Sequence, residues 1–144
     1  IDQRIYPVGR LDYDTEGLLL LTNDGKLAYR LTHPKHEIKK VYIAKIKGIP
    51  TERELEAFRN GLKIDNYITS KAKIEILSTS KNYSIVKIII HEGKNRQIRK
   101  MCEKINHPVI KLKRIAIGKI KLGNLKKGSW RYLSKEEIEY LKKL

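Results

Sequence analysis

Sulfur, bulky aromatics and negative charge are the scarce commodities of this sequence. It holds one cysteine, one methionine, one tryptophan and one phenylalanine in 144 residues, and half as many acidic groups as basic ones. With Cys102 alone, no intrachain disulfide can form, and nothing argues for an oxidising compartment. No apolar run approaches the ~20 residues that span a bilayer, and no signal-peptide pattern is visible at the start. The expectation is a cytoplasmic protein with no membrane association. There is no repeat, low-complexity tract or Pro/Gly/Ser-rich linker, so residues 1–144 are read as one domain, large enough to bury most of its apolar surface. Ile1 is not an initiator methionine, so the chain is also read as a fragment or a processed product.

What is abundant is positive charge. Thirty-two Lys and Arg against 16 Asp and Glu leave a formal net charge of +16, a field that attracts polyanions. The excess is concentrated: residues 1–50 carry a net +3, residues 51–90 a net +2, and residues 91–144 a net +11. Between Lys94 and Arg131 stand 13 basic residues and one acid, Glu103, too lopsided for a face balanced by ion pairs. Nucleic acid is the first partner this implies, and a basic surface kept for solubility is the plainer alternative.

Strands are expected at Leu18 to Thr22, Ile38 to Lys47, Ala72 to Leu77 and Tyr83 to His91, the last two from strict apolar alternation. Another is expected from Val109 to Leu122, bent where the alternation slips near Lys113 and Arg114. Thr51 with Glu54, and Ser134 with Glu137, match capping boxes for helices over 52–60 and 135–143. Ile98, Met101, Cys102 and Ile105 recur at helical spacing, which places Arg96, Arg99 and Lys100 away from the buried stripe. A short helix is expected over Lys26 to Leu31, after a tight turn in which Asn23-Asp24-Gly25 supplies positive backbone angles. The fold class is then α+β, a mixed but mainly antiparallel sheet with helices packed on it.

Among chemistry-bearing patterns, Asp12-x-Asp14-x-Glu16-Gly17 imitates the first half of a calcium loop. The second half fails, because Asn23 stands where a bidentate Glu should close the cage and Leu18 to Leu21 occupy loop positions. His33 and His36 lie close together but lack a second ligand pair for zinc, so no metal is expected. No Ser/His/Asp order, phosphate-binding glycine loop or dinucleotide fingerprint occurs. By spacing alone, Asp12 reads first as a turn-forming residue, Tyr42 as a core tyrosine beside Ala44 and Ile46, and Arg99 as part of a solvated helix face.

Longer motifs change that weighting. Gly9-Arg10-Leu11-Asp12-x-x-Thr15-Glu16-Gly17 running on to Gly25, then Lys40-Val41-Tyr42, then Glu92-Gly93-Lys94-Asn95-Arg96-Gln97-Ile98-Arg99-Lys100-Met101, and Leu122-Gly123-x-Leu125-x-x-Gly128, occur in that order. Together they resemble the pseudouridine synthases, specifically the RsuA-like branch acting on bacterial ribosomal RNA, and the stretch from Glu16 to Gly25 and the tail look closest to the large-subunit members. The resemblance implies the pseudouridine synthase catalytic fold. It implies that Asp12 is the catalytic carboxylate, that Tyr42 lies against the target base, and that Arg99 pairs with Asp12. Arg10, Lys94, Arg96, Lys100, Lys113 and Arg114 are the implied RNA contacts, ribosomal RNA is the partner, and the protein is expected to be a monomer. No cofactor is expected, since isomerising uridine gains and loses no atoms. The family's N-terminal S4-type module and Lys-Pro-x-Gly strand are not found in this sequence. A basic RNA-binding module that keeps the fold without the reaction is the alternative reading.

Overall fold

The computed structural model describes residues 3–33 and 35–144. In chain order the elements are β1 (Tyr6–Val8), β2 (Glu16–Gly17), β3 (Leu20–Thr22), α1 (Gly25–Thr32), β4 (Lys40–Lys47), α2 (Glu52–Asn60) and β5 (Lys63–Ile64). They continue with β6 (Tyr67–Ile68), β7 (Lys73–Thr79), β8 (Tyr83–Ile90), α3 (Gln97–Lys104), β9 (Val109–Ile117), β10 (Ile120–Lys121) and α4 (Lys135–Lys142).

The main sheet runs β10-β9-β4-β8-β7, antiparallel throughout, and β2 adds to β9 in parallel. The expected α+β architecture is therefore present. Antiparallel order follows from the connections: β7 and β8 are joined by three residues, too few for a crossover helix. Two small antiparallel pairs, β1 with β3 and β5 with β6, complete the strands among the described residues. They are too short to leave a periodic signature.

Residues directly opposite in a ladder share a face, so Tyr42, Ala44 and Ile46 of β4 stand with Ile88, Val86 and Ser84 of β8 and with Arg114 and Leu112 of β9. Leu55 and Phe58 of α2 and Ile98, Met101 and Cys102 of α3 pack against part of this face and close the first apolar core. Burial pushes the Cys102 thiol up to about 12, which leaves it an inert small hydrophobe. A second core joins Val8, Leu18, Leu20 and Leu31 to Ile117, Ile120 and Leu141. Arg30 of α1 donates to the carbonyls of Leu141 and Lys142, satisfying the open end of α4.

Two local expectations are corrected. The single strand from Val109 to Leu122 is a hairpin of β9 and β10, because Gly118 (φ +56°) turns the chain. The slip near Arg114 is a bulge: Val41 pairs with Ala116 but Tyr42 with Arg114. At the second site, none of Asn23, Asp24 and Gly25 takes a positive φ. Asp24 (φ −97°) is instead the N-cap of α1, its carboxylate accepting from the Lys26 and Leu27 amides at 3.1 Å each.

Both capping boxes form, and the one at α4 is charged on both sides. Arg131 grips Glu137 with two hydrogen bonds of 2.8 and 2.9 Å, and the Ser134 amide donates to the same carboxylate. These contacts lower the Glu137 carboxyl from 4.5 to about 2, Arg131 contributing most. A folded-state value below the unfolded one stabilises the fold above pH 4.5 and is lost as the pH falls toward 2. The melting temperature of wild-type protein should therefore drop across that window, and Glu137→Gln should flatten that part of the profile while costing about 1 kcal/mol at neutral pH. An unchanged acid slope in the variant would remove this contact from the account of stability.

Candidate active site

Only part of the sheet face described above is covered by helices. Beyond Ala44 and Ile88 it carries Lys40, Tyr42, Ile90, Leu112 and Arg114, and these form the floor of a cleft of about 680 Å³ lying between the two cores. Two of its walls are residues 9–15 and residues 91–99, the latter running from a loop into α3, and residues 31–33 and 36–38 line it as well. That volume is within the ordinary range for a small-molecule or nucleotide site.

The first wall carries Asp12. Its trailing end is bolted to the sheet, since β2 pairs with Lys113 and Arg114, the Leu18 amide donates to the Arg114 carbonyl at 2.9 Å, and Arg114 Nε returns a bond to the Leu18 carbonyl. Gly17 makes that approach possible. It has φ +120°, and a Cβ there would fall 2.6 Å from the Arg114 nitrogen and closer still to its carbonyl oxygen. Within the loop, the Thr15 amide donates to the Asp12 carbonyl at 3.0 Å. The Asp12 side chain, 29% exposed, faces the cleft.

The second wall is held by a polar brace. Gln97, 3% exposed, donates to Glu92 at 2.9 Å and accepts from the Lys94 amide, while Glu92 accepts from the Ser70 amide and hydroxyl. Arg96 caps α3 in the left-handed region (φ 51°), a conformation a non-glycine residue holds only when its surroundings compel it. From there its guanidinium reaches across the cleft to the first wall.

Asp12, Tyr42 and Arg99 all line this cleft, although they lie far apart in sequence. The expected pairing of Arg99 with Asp12 is not what forms. Arg96 makes a two-pronged contact with the Asp14 carboxylate, 2.9 Å on each arm, and its Nη1 lies 3.9 Å from Asp12 Oδ2. Arg99 donates to the Asp14 carbonyl at 2.6 Å and sets its Nε 3.4 Å from Asp14 Oδ1. Among the described residues, Asp12 has no ion pair besides the long one to Arg96. The physical reason is helix geometry: side chains in a first turn lean back toward the N-terminus, which brings Arg99 onto the backbone of the Asp14 loop. Arg99 is consequently 14% exposed and not part of a solvated face. The Arg96 hydrogen bonds hold the Asp14 carboxyl below its ordinary value, against the opposing effect of burial.

The other sequence-predicted contacts divide. Arg10, Lys94, Arg96 and Arg114 line the cleft, with the Lys94 ammonium also 4.1 Å from the Tyr67 ring centre. Lys100 is instead paired with Asp65 at 2.8 Å, and Lys113 is exposed on β9; neither reaches the cleft. Arg114, expected on a basic surface, is 4% exposed, because the bulge turns it onto the cleft floor beside Tyr42. Two residues that matter here were passed over in the sequence. Lys40 lies on the same face as Tyr42, as its spacing of two on a strand already implied. Asp14 left no such signal, since its partners depend on the left-handed turn at Arg96. Among the described residues there is no cluster of three metal-ligating side chains and no helix long and apolar enough to cross a membrane.

With the fold and cleft in view, residues 1–104 match the RNA pseudouridylate synthase family, and the chain belongs to it. It is 50% identical over 146 residues to ribosomal large subunit pseudouridine synthase B of Bacillus subtilis, covering 100% of this chain and 60% of the relative. An uncharacterized RNA pseudouridine synthase of Aquifex aeolicus is 41% identical, with 98% of this chain and 57% of the relative covered. A crystal structure of a pseudouridylate synthase superposes with a TM-score of 0.86 at 35% identity, over 95% of this chain and 59% of that one. An H/ACA RNP bound to a substrate RNA containing 2′-deoxyuridine shares the fold alone, with a TM-score of 0.66 at 18% identity over 83% of this chain and 40% of that one. The chain thus spans close to three fifths of the length of the Bacillus subtilis and Aquifex aeolicus relatives and of the 35% identical synthase.

Proposed function

We propose that this cleft isomerises uridine to pseudouridine in RNA, with large-subunit ribosomal RNA as substrate, Asp12 as the catalytic carboxylate, and the protein acting as a cytoplasmic monomer. The observation that carries the reading is the convergence of Asp12, Tyr42 and Arg99 on one cleft, in a chain of this family. The large-subunit assignment draws support from the 50% identity to the Bacillus subtilis enzyme.

The reaction breaks the bond from N1 to C1′, turns the base, and joins C5 to C1′, with one proton lost from C5 and one taken up at N1. Atoms balance without an oxidant or a co-substrate, so the demand falls on one placed carboxylate. An ionised Asp12 can attack the sugar or ring carbon or draw off a sugar proton, and each use needs a fixed, charged group. Arg96 keeps positive charge 3.9 Å from Asp12, and with Arg99 it clamps Asp14, two residues along, so that the loop holds its position.

A uridine inside folded RNA reaches the cleft only by leaving its stack, at a cost of roughly a few kcal/mol. Tyr42 is 8% exposed and packed in the first core beside Ala44 and Ile46, as its spacing implied, and the part of its ring that lines the floor is the surface a base would meet, full stacking on an aromatic ring contributing about 1 to 3 kcal/mol. Arg10 and Lys94 on the walls supply positive charge for the flanking backbone. The direct test is release of tritium from uridine C5 in large-subunit ribosomal RNA transcripts by the full-length protein. Release no higher than in a protein-free control would overturn the reading.

The clamp makes a separate expectation. Asp14→Ala should lower kcat about 100-fold with KM changed little, because Asp12 is displaced while the floor that holds the nucleotide is untouched. A rise in KM at constant kcat would instead make Asp14 a substrate contact.

A further inference from the structure

The cleft floor holds two cations that the chemistry above does not use. Arg114 is 4% exposed; its Nε donates to the Leu18 carbonyl at 2.9 Å, while its Nη2 has no hydrogen-bond partner. A buried guanidinium with an empty donor is costly unless something else completes it. Lys40 stands on the same sheet face, half-buried, two residues before Tyr42 on β4, and Arg114 is the residue opposite Tyr42 on β9. Among the described residues it forms no ion pair. Burial and the charge of Arg114 both push its pKa down, and the exposed Glu37 only partly offsets them. Two like charges therefore face one cleft, and none of the acids that line it, Asp12, Glu37 and Glu92, forms an ion pair with either among the described residues.

The wall beside Lys40 is also cut back. A Cβ at Gly93 would lie 3.4 Å from the Lys40 ammonium, so the missing side chain keeps space next to that charge. Asp12, the cleft's own carboxylate, is engaged by Arg96 from the opposite wall. The unmet needs of the floor are thus a negative charge and hydrogen-bond acceptors, side by side with an aromatic ring.

We infer that Lys40 and Arg114 form a phosphate subsite that seats the phosphate of the nucleotide stacked on Tyr42. The inference rests on the reading of the cleft as a uridine site and names what holds the nucleotide there. A phosphate beside Lys40 supplies the countercharge that Lys40 lacks and lies over the buried charge of Arg114, and charge-assisted bonds of this kind are the strong ones. Lys40 and Arg114 are accordingly binding residues, distinct from the Asp12, Asp14, Arg96 cluster across the cleft.

The test compares uridine 5′-monophosphate with uridine in binding to the full-length protein, followed by NMR at the Tyr42 amide. Wild type should bind the monophosphate about tenfold more tightly than uridine. Lys40→Gln should bring the two within about twofold, and Arg114→Gln should do the same if it keeps the wild-type melting temperature. Lys40, being half-buried and without a structural bond, decides the matter if the Arg114 variant does not fold. Equal binding of the two ligands by wild type, or a preference that survives Lys40→Gln, overturns the inference, as does failure of the monophosphate to bind. Tritium release is read separately: release without the phosphate preference defeats this subsite alone, and the preference without release defeats the isomerase reading alone.

Discussion

Asp12→Asn should abolish tritium release from uridine C5, lowering the rate by roughly 10⁴-fold or more, with the fold left intact. An amide has nearly the shape of a carboxylate but neither its charge nor its nucleophilicity, so the substitution removes the chemistry and keeps the packing. Asp12 contributes little to stability: its side chain is 29% exposed and its one ion pair is 3.9 Å long. The expected loss in stability is below about 1 kcal/mol. Binding of uridine 5′-monophosphate should persist, since Lys40, Tyr42 and Arg114 are untouched. Release at more than a tenth of the wild-type rate would mean that another group carries the reaction.

Gly17→Ala should produce the largest loss of stability of any single methyl addition near the cleft, about 3 kcal/mol or more. Two penalties combine. The residue sits at φ +120°, where an L side chain is strained, and the added carbon collides with the backbone of Arg114. Backbone cannot swing aside as a flexible side chain can, so β2 must part from β9, and the bonds between Leu18 and Arg114 part with it. Denaturant unfolding measures the effect. Because the Asp12 loop hangs from that joint, residual folded protein should also be slow in tritium release. A midpoint within about 0.5 kcal/mol of wild type would show that the loop can slide along β9 at little cost.

Gly93 offers a contrast. A carbon added there meets only the mobile end of Lys40, and the glycine has no positive φ, so Gly93→Ala should be tolerated by the fold and felt only at the cleft.

Much of the architecture was legible because it rests on local rules. Strict alternation marked β7 and β8, capping boxes marked α2 and α4, and the 3.6-residue stripe of Ile98, Met101, Cys102 and Ile105 marked α3. Elements of two or three residues, β1, β2, β5, β6 and β10, were not legible, since they are stable only through partners distant in the chain. The hairpin of β9 and β10 was missed for the same reason: one glycine in an apolar run marks a turn only if a returning strand has something to pair with.

At the site, sequence by itself determined which residue types were available and in what order: the Gly-Arg-Leu-Asp loop, the Lys-x-Tyr strand, the Arg-rich start of α3, and the surplus of positive charge toward the C-terminal end. Only the tertiary structure decided who meets whom. The left-handed turn at Arg96 and the backward lean of Arg99 give both cations to Asp14, leaving Asp12 one distant partner. The bulge in β9 carries Arg114 off the expected basic surface and beneath the cleft, next to Lys40 and Tyr42. Charge and periodicity act over a few residues and can be read from a string, whereas an ion pair is set by ångström-scale separations between segments more than eighty residues apart, which exist only once the sheet has closed.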